Sequence, residues 1–214
     1  MPTIEQARTW YPASDPVHGF DHILRVFNLA ERLAREEGAD IEIVRAAALL
    51  HDANSTLPLK NPEAGRHEHH HVSAEFARQV LETENWPEER IAAVQHCIRA
   101  HRFRDSTEQP QTLEAQVLFD ADKMDAIGAI GVARAIAYAA QSGQPVYTPP
   151  SEKFLKTGEK EPGEKHSAYH EYVFKLCKLK NRLYTATARR LADERHCFMV
   201  IFFDHLIKEI DGKQ

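Results

Sequence analysis

Apolar residues along this chain recur three and four positions apart from one end to the other. The alternation at every second residue that marks a half-buried strand is almost missing. Stretches rich in Ala, Leu, Glu and Arg add helix propensity. The pattern predicts an all-α fold. At 214 residues the chain can bury roughly 70% of the surface its unfolded form exposes. A single helical bundle over 1–214 is therefore expected, needing neither a disulfide nor a metal merely to hold its core.

Turn and cap residues divide the pattern. A short helix is expected over 3–10. A second runs over 21–37, with the stripe His22, Val26, Leu29 and Leu33, and stops at Gly38. A third begins after Asp40, a good N-cap, and ends at His51. Pro58, Pro62 and Gly65 predict a loop over 53–69, followed by a helix over 71–84. Pro87 opens a helix that reaches His101, and a polar loop covers 104–111. The next helix is expected from 112 through Asp122 and on to 140, although Gly128 and Gly131 signal either close packing or a break. Prolines and glycines make 141–165 the one long irregular segment, a length that suits a lid. Helices over 167–180 and 185–210 close the chain.

Composition narrows the setting. A net charge of -5 argues against a dedicated nucleic-acid partner. Cys97, Cys177 and Cys197 are odd in number and lack Cys-x-x-Cys spacing, which points to free thiols in a reducing compartment. The start, Met1-Pro2-Thr3-Ile4-Glu5, lacks the basic and apolar parts of a secretory leader. No window approaches the ~20 apolar residues of a membrane span. A cytoplasmic protein without a membrane partner is expected, and a homodimer is left open.

One place breaks the apolar pattern sharply. The run Ala46-Ala47-Ala48-Leu49-Leu50 reads as a buried helix turn, yet His51 and Asp52 follow where a core would take another Leu. Polar groups in apolar surroundings need a hydrogen bond or a ligand, since desolvation without one costs several kcal/mol. A lone buried His is ordinarily a satisfied core residue, but this one has company. His22 lies at the end of an apolar stripe upstream, and Asp122 aligns with Leu118 and Ala126 downstream. His101 ends the stripe Ile91, Val94 and Ile98. Two imidazoles and two carboxylates form a mixed nitrogen and oxygen donor set suited to a divalent first-row metal. Spacing alone does not choose Asp122 over Asp120 or Asp125.

These residues resemble the HD-domain phosphohydrolases. The resemblance is carried by His22-Ile23-Leu24-Arg25-Val26, the doublet His51-Asp52, and Asp120-Ala121-Asp122-Lys123-Met124-Asp125-Ala126, in that order, across a core of about 18–130. Lys175-Leu176-Cys177-Lys178-Leu179-Lys180 and Glu194-Arg195-His196 are similar to a small bacterial subgroup, whose C-terminal helices, here 166–212, complete the site and core. The resemblance implies a helical bundle with His22, His51, Asp52 and Asp122 as ligands of a divalent cation. The Ala-Asp-Lys-Met context selects Asp122, and Asp125 is left as a group touching a ligand or the substrate. Some branches of the family hold a second metal with two further histidines, and His71 and His101 resemble those positions. The competing reading of His71 is a solvent-facing member of the tract His67-Glu68-His69-His70-His71.

The implied activity is metal-dependent hydrolysis of a small phosphorylated substrate, a nucleotide foremost. The bond broken would release pyrophosphate from a nucleoside triphosphate or phosphate from a monophosphate. Four protein ligands leave an open position on a five- or six-coordinate ion but fill a tetrahedral Zn²⁺. Mn²⁺ is favoured, with Co²⁺, Fe²⁺, Mg²⁺, Ni²⁺ and Zn²⁺ as alternatives. Asp52 is expected to hold the metal and orient the attacking water. Arg25 is placed to neutralise developing charge or to pair with a helix carboxylate, and His18 to donate a proton or cap its helix. Lys123, Arg102, Lys175 and Lys178 are candidates for binding phosphate. Lys175 and Lys178 also fit a plain solvated face. The continuation Ala53-Asn54-Ser55-Thr56 lacks the acidic pair of the ppGpp-hydrolysing members, and no Gly-Tyr-Pro extension of the cyclic-di-GMP phosphodiesterases is present. Two other readings stay open: an HD-type di-iron oxygenase, and a nucleotide-binding module without catalysis.

Overall fold

The computed structural model describes residues 1–11, 19–53, 62–102 and 108–213, with the side chains of 62–68 excepted. Every regular element among the described residues is a helix. They run α1 (Ile4–Arg8), α2 (Phe20–Glu37), α3 (Ile41–Leu50), α4 (Pro62–Thr83), α5 (Glu88–Ala100), α6 (Leu113–Met124), α7 (Gly128–Gln141), α8 (Glu152–Thr157), α9 (Ala168–Phe174), a 3-10 segment (Leu176–Arg182) and α10 (Ala186–Ile210). This is the all-α fold that the spacing predicts. No helix among the described residues is long and apolar enough to cross a membrane. The chain packs as two compact units. The first contains Met1–Asp122 and Tyr184–Thr187, the second Lys123–Leu183 and Ala188–Gln214.

In the first unit α3 is the central element. Ile43, Val44 and all of Ala46–Leu50 are buried against α2 and α5. Burying Leu49 and Leu50 completely contributes about 2 kcal/mol each. The turn between α2 and α3 follows its sequence signals. Gly38 closes α2, and the Asp40 carboxylate accepts from the backbone N–H groups of Glu42 and Ile43 at 3.0 and 3.2 Å. Arg90 of α5 clamps the same carboxylate with both guanidinium ends, at 2.9 and 3.1 Å. Helices α4 and α5 pack side by side. There Arg78 grips Glu88 at 2.8 and 2.6 Å, and Gln95 donates to the Ala74 carbonyl at 3.0 Å.

Three expectations are corrected. Pro62 and Gly65 do not belong to a loop, because α4 starts at Pro62, and a proline at the first helical position gives up an N–H that has no helical partner anyway. The helix expected over 112–140 is broken into α6 and α7. Gly128 takes φ +77, and a Cβ there would meet the Arg195 side chain at 3.0 Å, while a Cβ on Gly131 would strike the Ala126 carbonyl oxygen at 2.3 Å. Both glycines are needed for that close turn. The helix expected over 167–180 ends at Phe174, where Lys175 leaves helical geometry (φ -124, ψ -57) before the 3-10 segment.

In the second unit the segment expected to be irregular is built around one carboxylate. Glu164 accepts from the Ser151 backbone N–H and hydroxyl, both at 2.8 Å, and from the Glu161 N–H at 2.7 Å. Ser151 in turn caps α8 through the Phe154 N–H at 3.0 Å. Glu164 also meets His170 Nε2 at 3.0 Å, and His170 Nδ1 meets the Ser167 hydroxyl at 2.7 Å.

Candidate metal centre

The HD doublet sits where α3 runs out. The last carbonyls of a helix lack partners within the helix, and here side chains supply them. His51 Nδ1 lies 2.9 Å from the Ala48 carbonyl oxygen, and the Tyr11 hydroxyl donates to the Leu49 carbonyl at 2.8 Å. Ser73 of α4 donates to the Ala53 carbonyl at 2.8 Å. The turn carrying His51 and Asp52 is thus pinned by hydroxyls from both sides. Burial, and then the charge of Asp52, raise the Tyr11 phenol well above its ordinary value, so it stays a donor.

His101 repeats the arrangement of His51 at the end of α5. Its Nδ1 lies 2.5 Å from the Ile98 carbonyl oxygen, three residues back. An Nδ1–H spent on a carbonyl leaves Nε2 as the lone-pair donor and fixes the ring's direction. Both rings point Nε2 toward Asp52. His51 Nε2 is 3.7 Å from Asp52 Oδ2, and His101 Nε2 is 3.6 Å from Asp52 Oδ1. His22, in the first turn of α2, places its ring centre 5.5 Å from that of His51. Its Nε2 lies 3.4 Å from Asp122 Oδ1 on α6.

The separations of 3.6 and 3.7 Å between Asp52 and the two imidazoles are too long for hydrogen bonds. Two donors each ~2.1 Å from a shared ion stand about 3.0–3.4 Å apart, which is close to what is seen. The donor atoms of His22, His51 and Asp52 all lie within 4.8 Å of one another. His51 Nε2 and Asp52 Oδ1 are buried and have no hydrogen-bond partner among the described residues. Burial, reinforced by the neighbouring His101 and His22, lowers His51 to about 4 against the pull of Asp52 and Asp122. It is therefore neutral at physiological pH, as a ligand imidazole must be. Burial works to raise the Asp52 carboxyl, but His51, His101 and His69 outweigh it and hold the group well below the usual carboxylate range. The orphaned atoms, the donor set and the protonation states all fit a divalent cation.

The three aspartates around 122 separate by their partners. Asp120 is fully buried and accepts from the Tyr184 N–H, the Thr185 N–H and the Thr185 hydroxyl at 2.9, 2.7 and 2.7 Å. It thereby anchors the segment leading into α10. Asp125, in the second unit, is ion-paired with Arg134 at 2.6 Å. Asp122 is the one of the three placed against His22.

His71 does not reach the doublet. It is exposed, with its ring 4.1 Å from that of His70. His69 of the same tract has its Nε2 3.5 Å from Asp52 Oδ1, and Asp52, His69 and His101 form a second cluster of potential donors sharing Asp52 with the first. The signal that could have chosen His69 is its distance from the helix start. A helix counted from Pro62 would have set the phase of the tract.

Arg25 lies one turn beyond His22 on α2, half-buried, and Arg102 directly follows His101. His18 lies outside the described residues. Lys123, Lys175 and Lys178 belong to the second unit. There Lys175 pairs with Glu171 at 2.6 Å, and Lys178 lies over the Phe174 ring at 4.9 Å. They do not share the regular helix face expected of them.

An all-helical core with a His-Asp doublet at a helix end and a His and an Asp brought in from two further helices defines a class. The chain belongs to the HD domain family, whose profile matches residues 19–127. YpgQ of Bacillus subtilis is 35% identical over 215 residues, covering 97% of this chain and 94% of that one. The crystal structure of YpgQ in complex with ADP aligns with a TM-score of 0.73 at 34% identity, over 99% of this chain and all of that one. An HD-superfamily hydrolase of Bacillus thuringiensis aligns with a TM-score of 0.71 at 29% identity, over 97% of this chain and 96% of that one. The fold is that of the HD-superfamily hydrolases.

Proposed function

We propose that this protein is a divalent-metal-dependent phosphohydrolase of nucleotides, with its metal site held entirely by the first unit. The observation that carries the reading is the pair of buried atoms without a hydrogen-bond partner among the described residues, His51 Nε2, which lies against Asp52 Oδ2, and Asp52 Oδ1, which lies against His69 and His101. Leaving such atoms unsatisfied costs about 1–3 kcal/mol each, a cost that a function explains and a structural role does not. The ADP bound by the homologous YpgQ supports a nucleotide as ligand.

His22, His51, Asp52 and Asp122 would hold the cation, with Mn²⁺ favoured because four protein ligands leave a position open on a five- or six-coordinate ion. When bound, such an ion supplies Lewis acidity, lowering the pKa of water and polarising a phosphoryl oxygen. The chain's own groups do the rest. The two oxygens of Asp52 face different imidazoles, so the carboxylate can hold the ion and still accept a hydrogen bond from the attacking water. Arg25 and Arg102 supply positive charge near a transferring phosphoryl group. Asp52, His69 and His101 support a version of the site with a second ion sharing Asp52.

The test is release of phosphate and of pyrophosphate from a panel of nucleoside mono-, di- and triphosphates with Mn²⁺, Co²⁺, Mg²⁺ or Zn²⁺. Turnover with at least one pair is expected, and it should depend on Asp52. Tight nucleotide binding without turnover under any metal would overturn the hydrolase reading in favour of a binding module. Oxygen-dependent turnover with iron would favour an oxygenase.

A further inference from the structure

Tyr184–Thr187 pack with Met1–Asp122 in the first unit, while the chain just before and just after them belongs to the second. Their hydrogen bonds run to the two helices that deliver His22 and Asp122. The Asp120 carboxylate of α6 accepts from the Tyr184 N–H on one oxygen, and from the Thr185 N–H and hydroxyl on the other. Glu37, the last residue of α2, accepts from the Thr187 N–H at 2.6 Å. The Tyr184 ring meets Phe119 of α6 edge-on, with ring centres 5.1 Å apart. Asp120 is completely buried and Thr185 is 3% exposed, so water does not compete for the bonds between them.

These bonds close a ring. From His22 the path runs along α2 to Glu37, through Thr187 and Thr185 to Asp120, and along α6 to Asp122, which faces His22 across 3.4 Å. That last step is the one a shared cation would bridge. Asp120 and Asp122 stand about 200° apart around their helix, so Tyr184 and Thr185 hold α6 from the side away from His22 and set its rotation. We propose that Tyr184–Thr187 is a strap that presets the spacing of His22 and Asp122, with Asp120, Thr185 and Glu37 as positioning residues for the metal centre. On the metal reading given above, strap and cation stabilise the same arrangement of α2 and α6. Each therefore strengthens the other by the same factor. A mere cap for α10 would account for the same bonds, but cutting them would then cost stability and leave metal affinity alone.

The test is titration calorimetry of Mn²⁺ with the full chain and its variants. Thr185→Val changes no charge and little shape, yet removes the hydroxyl that donates to Asp120. Affinity should fall about fivefold or more, and Thr185→Ser should keep it. Glu37→Ala cuts the strap about 22 Å along α2 from His22, where a lost charge is screened from the site. It should weaken affinity too, whereas Glu37→Gln retains an acceptor and should not. His170→Ala, which destabilises the chain elsewhere, is the control and should leave affinity unchanged. The reverse arm is hydrogen exchange. Saturating Mn²⁺ should slow exchange of the Tyr184, Thr185 and Thr187 amides by a like factor and leave the Phe154 amide of α8 as it was. Wild-type affinity in both Thr185→Val and Glu37→Ala overturns the proposal while the metal reading stands. Strap amides indifferent to Mn²⁺ in a chain that binds it do the same. A wild type that binds no divalent cation overturns the metal reading and the role of the strap with it.

Discussion

Among the described residues, the histidine and carboxylate cluster around Asp52 in the first unit and the one around Glu164 in the second are finished differently. In the second unit His170 has both ring nitrogens engaged, by Ser167 and Glu164, and Glu164 is filled by Ser151 and Glu161 as well. In the first unit His51 and His101 each spend one nitrogen on a backbone carbonyl and aim the other at Asp52 across 3.6–3.7 Å that no hydrogen bond closes. The complete network organises a turn. The incomplete one keeps its valences for something else. Satisfaction of polar atoms, rather than residue type or burial, tells the two apart.

The sharpest way to break this contrast is to remove one carboxylate from the incomplete cluster. Asp52→Ala should abolish at least ~10²-fold of any metal-dependent hydrolysis while leaving thermal unfolding of the metal-free protein close to wild type. A large loss of stability would mean that Asp52 is structural. His170→Ala should do the reverse. It strands Glu164 and Ser167, and unfolding by denaturant should show a loss of about 1–3 kcal/mol with metal affinity unchanged by titration calorimetry. A smaller effect is expected at the clamp behind the doublet. Tyr11→Phe frees the Leu49 carbonyl and loosens the turn, and metal affinity should fall by roughly tenfold. If the hydroxyl serves stability alone, the melting temperature will drop while affinity holds.

The smallest difference is one of pH. His51 is held neutral, at about 4 in the folded chain against 6.5 ordinarily. The stability it lends the metal-free protein is complete above 6.5 and is lost as pH falls from 6.5 toward 4. Backbone and hydroxyl donors lower Glu164 from 4.5 to about 2, so its contribution is complete above 4.5 and disappears only as pH falls toward 2. Melting curves of the metal-free protein should weaken first in the upper window. Asp52→Ala and His170→Ala should each alter the slope in a different window.

Much of this arrangement could be read from residues alone. The α2–α3 turn follows directly from Gly38 and Asp40, whose effects are local. The doublet was visible because it interrupts an apolar run. What escaped depended on phase or on distant partners. His71 is singled out by resemblance alone, with a solvent-facing role as the alternative; the prolines before the tract mark a loop as readily as a helix start, and without the start at Pro62 the tract has no defined face. The end of α9 at Lys175 carries no glycine or proline to announce it. Asp120 and Asp122 are two apart on one helix, and only the position of Tyr184 and Thr185, far along the chain, shows that Asp120 is occupied elsewhere.

His51 and His101 each take their ring direction from a carbonyl three residues earlier in their own helix. The aim of both imidazoles is thus written into short stretches of sequence and does not wait for an ion to arrive. A receptor poised in advance need not refold around its guest. Such a protein should survive chelation with its architecture intact, take up different divalent ions in turn, and leave the choice among them to cellular supply.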